Sequence, residues 1–180
     1  MNRPIFLVPG WQNSGPGHWQ SLWEAQLPDA RRVEMPNWDF PRRWEWVGAL
    51  DDALAQHLRF DGPPPILVGH SLGCLAIAHW AVAHERPIHG ALLVAPSDVE
   101  REEAPEVLKD FAPIPFARLP FPSHVVAAAD DPWLSRERAR AFAAAWGARF
   151  SSLERGGHLN GASGFGPWPR GEALLKELMR

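Results

Sequence analysis

The sequence predicts an α/β architecture in which a mostly parallel sheet carries helices on both faces, and three observations point to it. Short apolar runs of strand character, such as Ile5-Phe6-Leu7-Val8 and Ile66-Leu67-Val68, alternate with longer segments whose apolar residues recur at helical spacing. With a helix between successive strands, neighbouring strands run parallel and the crossovers cover both faces. The pentapeptide Gly69-His70-Ser71-Leu72-Gly73 lies where one such strand passes into a helix. In that setting the flanking glycines permit a tight turn that holds the serine in a strained conformation with its hydroxyl exposed above the sheet, a nucleophile elbow.

Each element follows from local pattern. Ile5–Val8 is the first strand, ended by Pro9-Gly10. Between His18 and Gln26, Trp19, Leu22, Trp23 and Gln26 fall at near-helical spacing, and Pro28 ends the run. Arg31–Met35 is expected as a short, exposed edge strand. From Trp44 to Leu58, residues Trp46, Val47, Leu50, Leu54 and Leu58 share one face and predict an amphipathic helix. Pro63-Pro64-Pro65 leads into the elbow strand, and Cys74–Ala83 reads as a helix rich in small and apolar residues. Ile88–Ala95 and Val125–Ala129 are further strands. Ser135 is placed to cap a helix running through Ala145, with Gly147 beyond its end. Arg149–Leu153 is the last strand and Pro169–Arg180 a terminal helix. The rhythm breaks between Pro96 and Pro122, where an acidic start leads to a proline-rich path with a short helix expected over Pro105–Phe111. This lid-like connection (96–122) is too short for a lid domain. It is expected either to form one wall of a cleft or to be a crossover without substrate contact.

Composition narrows the function classes. At 180 residues the chain fits one domain, 1–180, with a substantial core, and 46% apolar and 22% charged residues are ordinary for a soluble globular protein. A net charge of -3 with scattered Lys and Arg gives no basic stripe, so nucleic acid is not an expected partner. The single cysteine, Cys74, excludes an internal disulfide, gives no metal cluster and fits a reducing compartment. Cys74 itself reads as a small core residue. No apolar leader and no run of membrane-spanning length is present, so no membrane partner is expected and cytoplasmic localisation is the default. Ten tryptophans stand against no tyrosine, with nineteen prolines. Trp11, Trp38, Trp133 and Trp168 lie in loops beside Pro or Gly, either as rigid anchors of those loops or as walls of an apolar pocket.

The chemistry follows from what a serine hydroxyl needs. To attack a carbonyl it requires an imidazole to take its proton and a buried carboxylate to hold that imidazole in the right tautomer. On a parallel α/β sheet the partners of an elbow serine follow in the order Ser, Asp or Glu, His, each just past a later strand. Asp130-Asp131-Pro132 closes the Val125–Ala129 strand, and Gly156-Gly157-His158 follows Arg149–Leu153. Pro132 biases Asp131 toward extended backbone and favours it over Asp130, which is then a turn or supporting residue. His158 is favoured as the base. His18, on the loop after the first strand, is the competitor that would break the order. His70 is expected to turn its side chain away from the serine's face. His79, His84 and His89 fall on or after the elbow helix, away from the sheet's active end, His57 sits near the end of a helix, and His124 begins a strand. For the oxyanion, the backbone N–H of Leu72 sits at a helix N-terminus, and a second donor is expected from the loop after the first strand, Trp11 first and Gln12 next. Gly15-Pro16-Gly17 lacks the Gly-Lys-Ser/Thr of a phosphate loop.

With these residues in place the chain resembles the retinoblastoma-binding-protein-9-like (YdeN-like) serine hydrolases, compact proteins of the α/β-hydrolase fold. The resemblance runs over nearly the whole length: Val8-Pro9-Gly10-Trp11, Gly17-His18-Trp19-Gln20, the Gly69–Gly73 elbow, Ala129-Asp130-Asp131-Pro132 and Gly157-His158-Leu159-Asn160. The tail Ser163-Gly164-Phe165-Gly166-Pro167-Trp168-Pro169 resembles bacterial members in particular. The resemblance implies a triad at Ser71, Asp131 and His158, a single-domain α/β-hydrolase fold with a minimal lid, and no metal or organic cofactor. It departs where Pro9-Gly10 stands in place of the His-Gly of many α/β-hydrolases. It departs again where Leu72-Gly73-Cys74-Leu75 is followed by Ala76 rather than the Glu of an L-x-C-x-E motif, so a retinoblastoma-protein contact does not transfer. The activity implied is hydrolysis of small or modest acyl esters through an acyl-enzyme. The alternatives are a non-catalytic protein-binding module on the same scaffold, or triad chemistry on amide, thioester or carbon–carbon bonds.

Overall fold

The computed structural model describes residues 3–59 and 62–180. Strands β1 (Ile5–Val8), β2 (Ala30–Arg32), β3 (Ile66–His70), β4 (Gly90–Val94), β5 (Ser123–Ala128) and β6 (Arg149–Leu153) form a six-stranded sheet in the order β2-β1-β3-β4-β5-β6. Every pairing is parallel; Leu7 lies against Val68, Val68 against Leu92, and Val126 against Ser151. Helices α1 (Trp19–Gln26), α2 (Arg43–Leu58), α3 (Leu72–Ala83), α4 (Arg136–Trp146) and α5 (Pro169–Leu178) supply the crossovers and the C-terminal cover. This is a compact α/β-hydrolase fold.

Alternation along the strands sorts the core into two layers. Phe6, Val8, Leu67, Leu93 and Val125 pack on one face with Trp46, Leu50 and Leu54 of α2, the apolar length of α3, and Phe142 and Trp146 of α4. Ile5, Leu7, Ile66, Val68, Leu92 and Val94 pack on the other with Trp19 and Trp23 of α1 and Leu175 of α5. The central strands are buried on both faces, which is why they read as unbroken apolar runs.

Most elements start and stop where their residues dictate. Ser135 accepts the Arg138 N–H at the start of α4, and Gly147 closes it in a left-handed conformation with φ 66°. Pro169 opens α5, which ends at Leu178. Two expectations need correction. The helix after the elbow begins at Leu72, not Cys74, because the chain turns on Ser71 alone. The edge strand is Ala30–Arg32, and Val33 and Met35 are buried rather than exposed because they pack on the core next to α2. The short helix expected over Pro105–Phe111 is present as a 3-10 helix over Glu106–Phe111, with Leu108 and Phe111 buried.

The sheet order places the reactive end. The chain leaves β1 toward the β2 edge and leaves β3 in the opposite direction, so a crevice opens above the carboxyl ends of these two neighbours. Gly73 is what lets α3 start so close to that point. A Cβ there would lie 2.1 Å from the Val8 carbonyl oxygen and 2.6 Å from that of Pro9. Both obstacles are backbone and cannot swing aside. Gly73→Ala is therefore expected to cost about 3 kcal/mol or more of stability. Gly48→Ala, in the interior of α2 with open space around the new methyl, is expected to gain roughly 0.5–1 kcal/mol. Urea melts of the two variants measure the contrast.

Candidate active site

Ser71 forms the corner between β3 and α3 with φ 54° and ψ -121°, a conformation costly for any residue with a Cβ. The strain falls on the serine itself. Its flanking glycines are needed for space, since a Cβ on Gly69 would meet Ile77 and the Cys74 backbone at 2.9–3.0 Å. Gly10, on the loop after β1, is a second close approach. A Cβ there would be 2.8 Å from the Ser71 Cβ and 3.3 Å from its Oγ.

Above this corner three distant side chains meet. Ser71 Oγ is 2.8 Å from His158 Nε2, and His158 Nδ1 is 3.0 and 2.9 Å from the two carboxylate oxygens of Asp131. The three residues are 9%, 8% and 9% exposed in the order Ser71, His158, Asp131, so bulk water does little to weaken these bonds. Asp131 is fixed in turn by the Trp133 N–H, which donates to Oδ1 at 2.8 Å. Asp130 does different work: its Oδ1 accepts from the N–H groups of Gly156 and Gly157, both at 2.8 Å, and so holds the turn that presents His158. The Gly157 bond, with that of Gly156, keeps its carboxyl below the usual carboxylate range.

The His158 turn is also pinned by side-chain donors from across the sheet. His70 Nε2 donates to the His158 carbonyl at 2.9 Å, and Trp19 Nε1 donates to the next carbonyl, Leu159, at 2.8 Å. His70 thus departs from the expectation that it faces away. As the last residue of β3 its ring slides beneath the His158 turn, 5.1 Å from the His158 ring, and lines the cavity. His18 lies beside it, with ring centroids 4.7 Å apart, and caps α1 by accepting the Gln20 N–H on Nδ1. Among the described residues His18 makes no hydrogen bond to Ser71.

The loop after β1 is braced from below. Gln20, fully buried, accepts from Ser14 Oγ and donates to the carbonyls of Val8 and Val68, tying the ends of β1 and β3 together. Arg32 donates to Asn13 Oδ1 and the Ser14 carbonyl on the same loop. Gln12, weighed as an oxyanion donor, already gives its N–H to the Trp38 carbonyl at 3.1 Å. Among the described residues, the N–H groups of Trp11 and Leu72 donate to no protein acceptor. A cavity of about 570 Å³ opens over Ser71 and His158. Val99, Ala104, Pro105 and Leu108 of the 96–122 connection line it, together with Trp11 and Trp133. Trp168 is an anchor instead, packed with Trp19 and Trp23, and Trp38 packs on Trp46. Sequence reasoning passed over Ser97, whose Oγ lies 2.8 Å from Ser71 Oγ. It follows Pro96 in a stretch whose only visible signals are acidic residues and proline.

A model of the serine hydrolase family matches residues 5–177. The chain belongs to the serine hydrolase family. This serine hydrolase is similar to a YdeN-like hydrolase of Pectobacterium atrosepticum, with 33% identity and a TM-score of 0.86 over 99% of this chain and 91% of that one. It is similar also to the ydeN gene product of B. subtilis, at 21% identity and a TM-score of 0.78 over 98% of each. Est1E of Butyrivibrio proteoclasticus, solved with ferulic acid bound, shares the fold at 12% identity and a TM-score of 0.69, over 98% of this chain and 86% of that one. No curated protein matches the chain. Among the described residues, no helix of this serine hydrolase is long and apolar enough to cross a membrane.

The two imidazoles beside His158 are held neutral. Burial, reinforced by Arg32 and His158, pushes His18 down to about 4, and burial with the neighbouring His18 and His158 pushes His70 well below the usual histidine range. An unfolded imidazole takes a proton near 6.5, so between that pH and about 4 the unfolded chain binds the His18 proton and the folded serine hydrolase does not. Stability is fully present above pH 6.5 and drains away as pH falls toward 4, by on the order of 3 kcal/mol from His18 alone. His18→Asn keeps a capping acceptor and removes the titration. Thermal melts from pH 7.5 to pH 4 are expected to fall less steeply for this variant than for the wild type.

Proposed function

We propose that the chain is a carboxylic ester hydrolase that works through a covalent acyl-serine. The observation that carries this reading is the buried chain from the Asp131 carboxylate through His158 to the Ser71 hydroxyl, set at the floor of a cavity at the sheet's switch point. Asp131 accepts the Nδ1–H of His158 and leaves Nε2 as a lone-pair acceptor for the Ser71 proton. Ser71 Oγ then bonds to the ester carbonyl carbon as its proton passes to Nε2. The oxygen of the tetrahedral intermediate takes up negative charge, and the free N–H groups of Trp11 and Leu72 are its donors, that of Leu72 at the N-terminus of α3. His158 returns the proton to the leaving alkoxide as the carbon–oxygen bond breaks. A water activated by His158 then attacks the acyl carbon, and Ser71 recovers its proton as the acid departs.

Small or modest acyl groups fit this site best. The connection over the cleft is one short 3-10 helix and proline-rich loop, and the cavity of about 570 Å³ lies in the lower half of the ordinary range of ligand pockets. A fluorophosphonate is expected to label Ser71, with labelling abolished by Ser71→Ala and strongly weakened by His158→Ala. Asp131→Asn is expected to lower kcat by on the order of 10³–10⁴ with little effect on KM. Across p-nitrophenyl acetate to palmitate, turnover is expected to fall as the chain lengthens. Labelling of another residue, or labelling undiminished in His158→Ala, overturns the proposal; faster turnover of palmitate overturns the acyl preference.

A further inference from the structure

Ser97 stands outside the Asp131–His158–Ser71 chain yet touches its reacting atom. Its Oγ is 2.8 Å from Ser71 Oγ, its N–H donates to the Ser71 carbonyl at 3.4 Å, and it lines the cavity while only 7% exposed. The direction of the hydroxyl contact follows from counting protons. Ser71 Oγ carries one hydrogen. With His158 Nδ1–H given to Asp131, Nε2 is an acceptor and takes that hydrogen. The bond between the two serines therefore has Ser97 as donor.

The backbone is bent to bring Ser97 there. Ala95, the first residue past β4, has φ 48°, a left-handed conformation that is costly for a non-glycine residue. Its N–H is fixed on the Val126 carbonyl at 2.8 Å, and Pro96 restricts the next φ. Strain of this kind persists where surrounding structure over-determines it, and it clusters at functional sites.

We infer that Ser97 is a catalytic residue of the acylation step. Its hydroxyl holds Ser71 Oγ in the rotamer that faces His158 and ensures that the Ser71 proton points at Nε2. The role rests on Ser71 being the nucleophile, as proposed above. In the step itself Ser71 Oγ bonds to the acyl carbon, its proton goes to His158 Nε2 and then to the departing alkoxide, and Ser97 keeps its own proton throughout.

The test measures fluorophosphonate labelling of Ser71, in which an Oγ–P bond forms and fluoride leaves, across reagent concentration in wild type, Ser97→Ala and Ser97→Thr. For Ser97→Ala the maximal labelling rate is expected to fall about tenfold with the half-saturating concentration unchanged. Ser97→Thr, which keeps the hydroxyl, is expected to stay within about threefold of wild type. A purely structural role would not be rescued by restoring the donor. Wild-type rates in Ser97→Ala overturn this inference and leave the Ser71 reading intact, whereas a wild type that does not label overturns both. Should Ser97→Ala fail to fold, Ser97→Cys, a weak donor of similar shape, carries the same comparison with the same two outcomes.

Discussion

The site depends on one contact between backbones: the first turn of α3 pressed against the carboxyl end of β1. Gly73 sits under the carbonyls of Val8 and Pro9 with no room for a side chain, and this closeness obliges the chain to reverse direction on Ser71. The left-handed corner costs about 1–3 kcal/mol. Ile66, Leu67 and Val68 on one side of it and Leu72, Leu75 and Ile77 on the other are all fully buried. Each such side chain contributes about 1.5–3 kcal/mol, an upper estimate since unfolded chains also bury surface, and together they outweigh the strain several times over. The strained serine is a consequence of how tightly its two flanking elements are packed.

From that corner outward, rigidity comes from polar side chains crossing between loops. The loop after β1 hangs on Gln20 and Arg32, and the turn after β6 hangs on His70, Trp19 and Asp130. None of these bonds belongs to a ladder or a helix. Loops on either side of the cleft cannot satisfy their carbonyls by pairing with one another, because the cleft lies between them, so the scaffold reaches up with long donors. Gly17-His18-Trp19-Gln20 concentrates three such tasks in consecutive residues: His18 caps α1, Trp19 holds the His158 turn and Gln20 ties β1 to β3.

How much was legible in the sequence follows from the range of each interaction. The strands, the order of Ser71, Asp131 and His158, and the caps at Ser135 and Gly147 rest on local pattern or on topology, and both are written along the chain. The edge strand misled because Val33 and Met35 are apolar for a reason of packing next to α2, not of pairing. Trp11 ranked ahead of Gln12 only by its place beside Gly10; what sets the two N–H groups apart in the fold is a Trp38 carbonyl 26 residues further on, which takes that of Gln12. His70 was misjudged because strand alternation stops at a strand's last residue, where the space above the sheet decides the direction of the ring. Ser97 left no trace at all: one serine after a proline acquires meaning only when a strained Ala95 carries it back over the elbow.

At the cleft the His70 ring packs between those of His18 and His158, and the surroundings make the three imidazoles unequal. His18 and His70 are buried with cationic or imidazole neighbours, and among the described residues neither meets a carboxylate; for His70, burial and these neighbours outweigh the bond to the His158 carbonyl that favours its charged form. His158 alone faces a carboxylate, Asp131, whose side chain is itself sealed from water. The neutral rings of His18 and His70 beside it act as a dry, uncharged lining. His70 adds a hydrogen bond to the backbone of the residue it flanks. The packing of β3 and α1 that buries these two histidines thus also steadies the turn carrying the third.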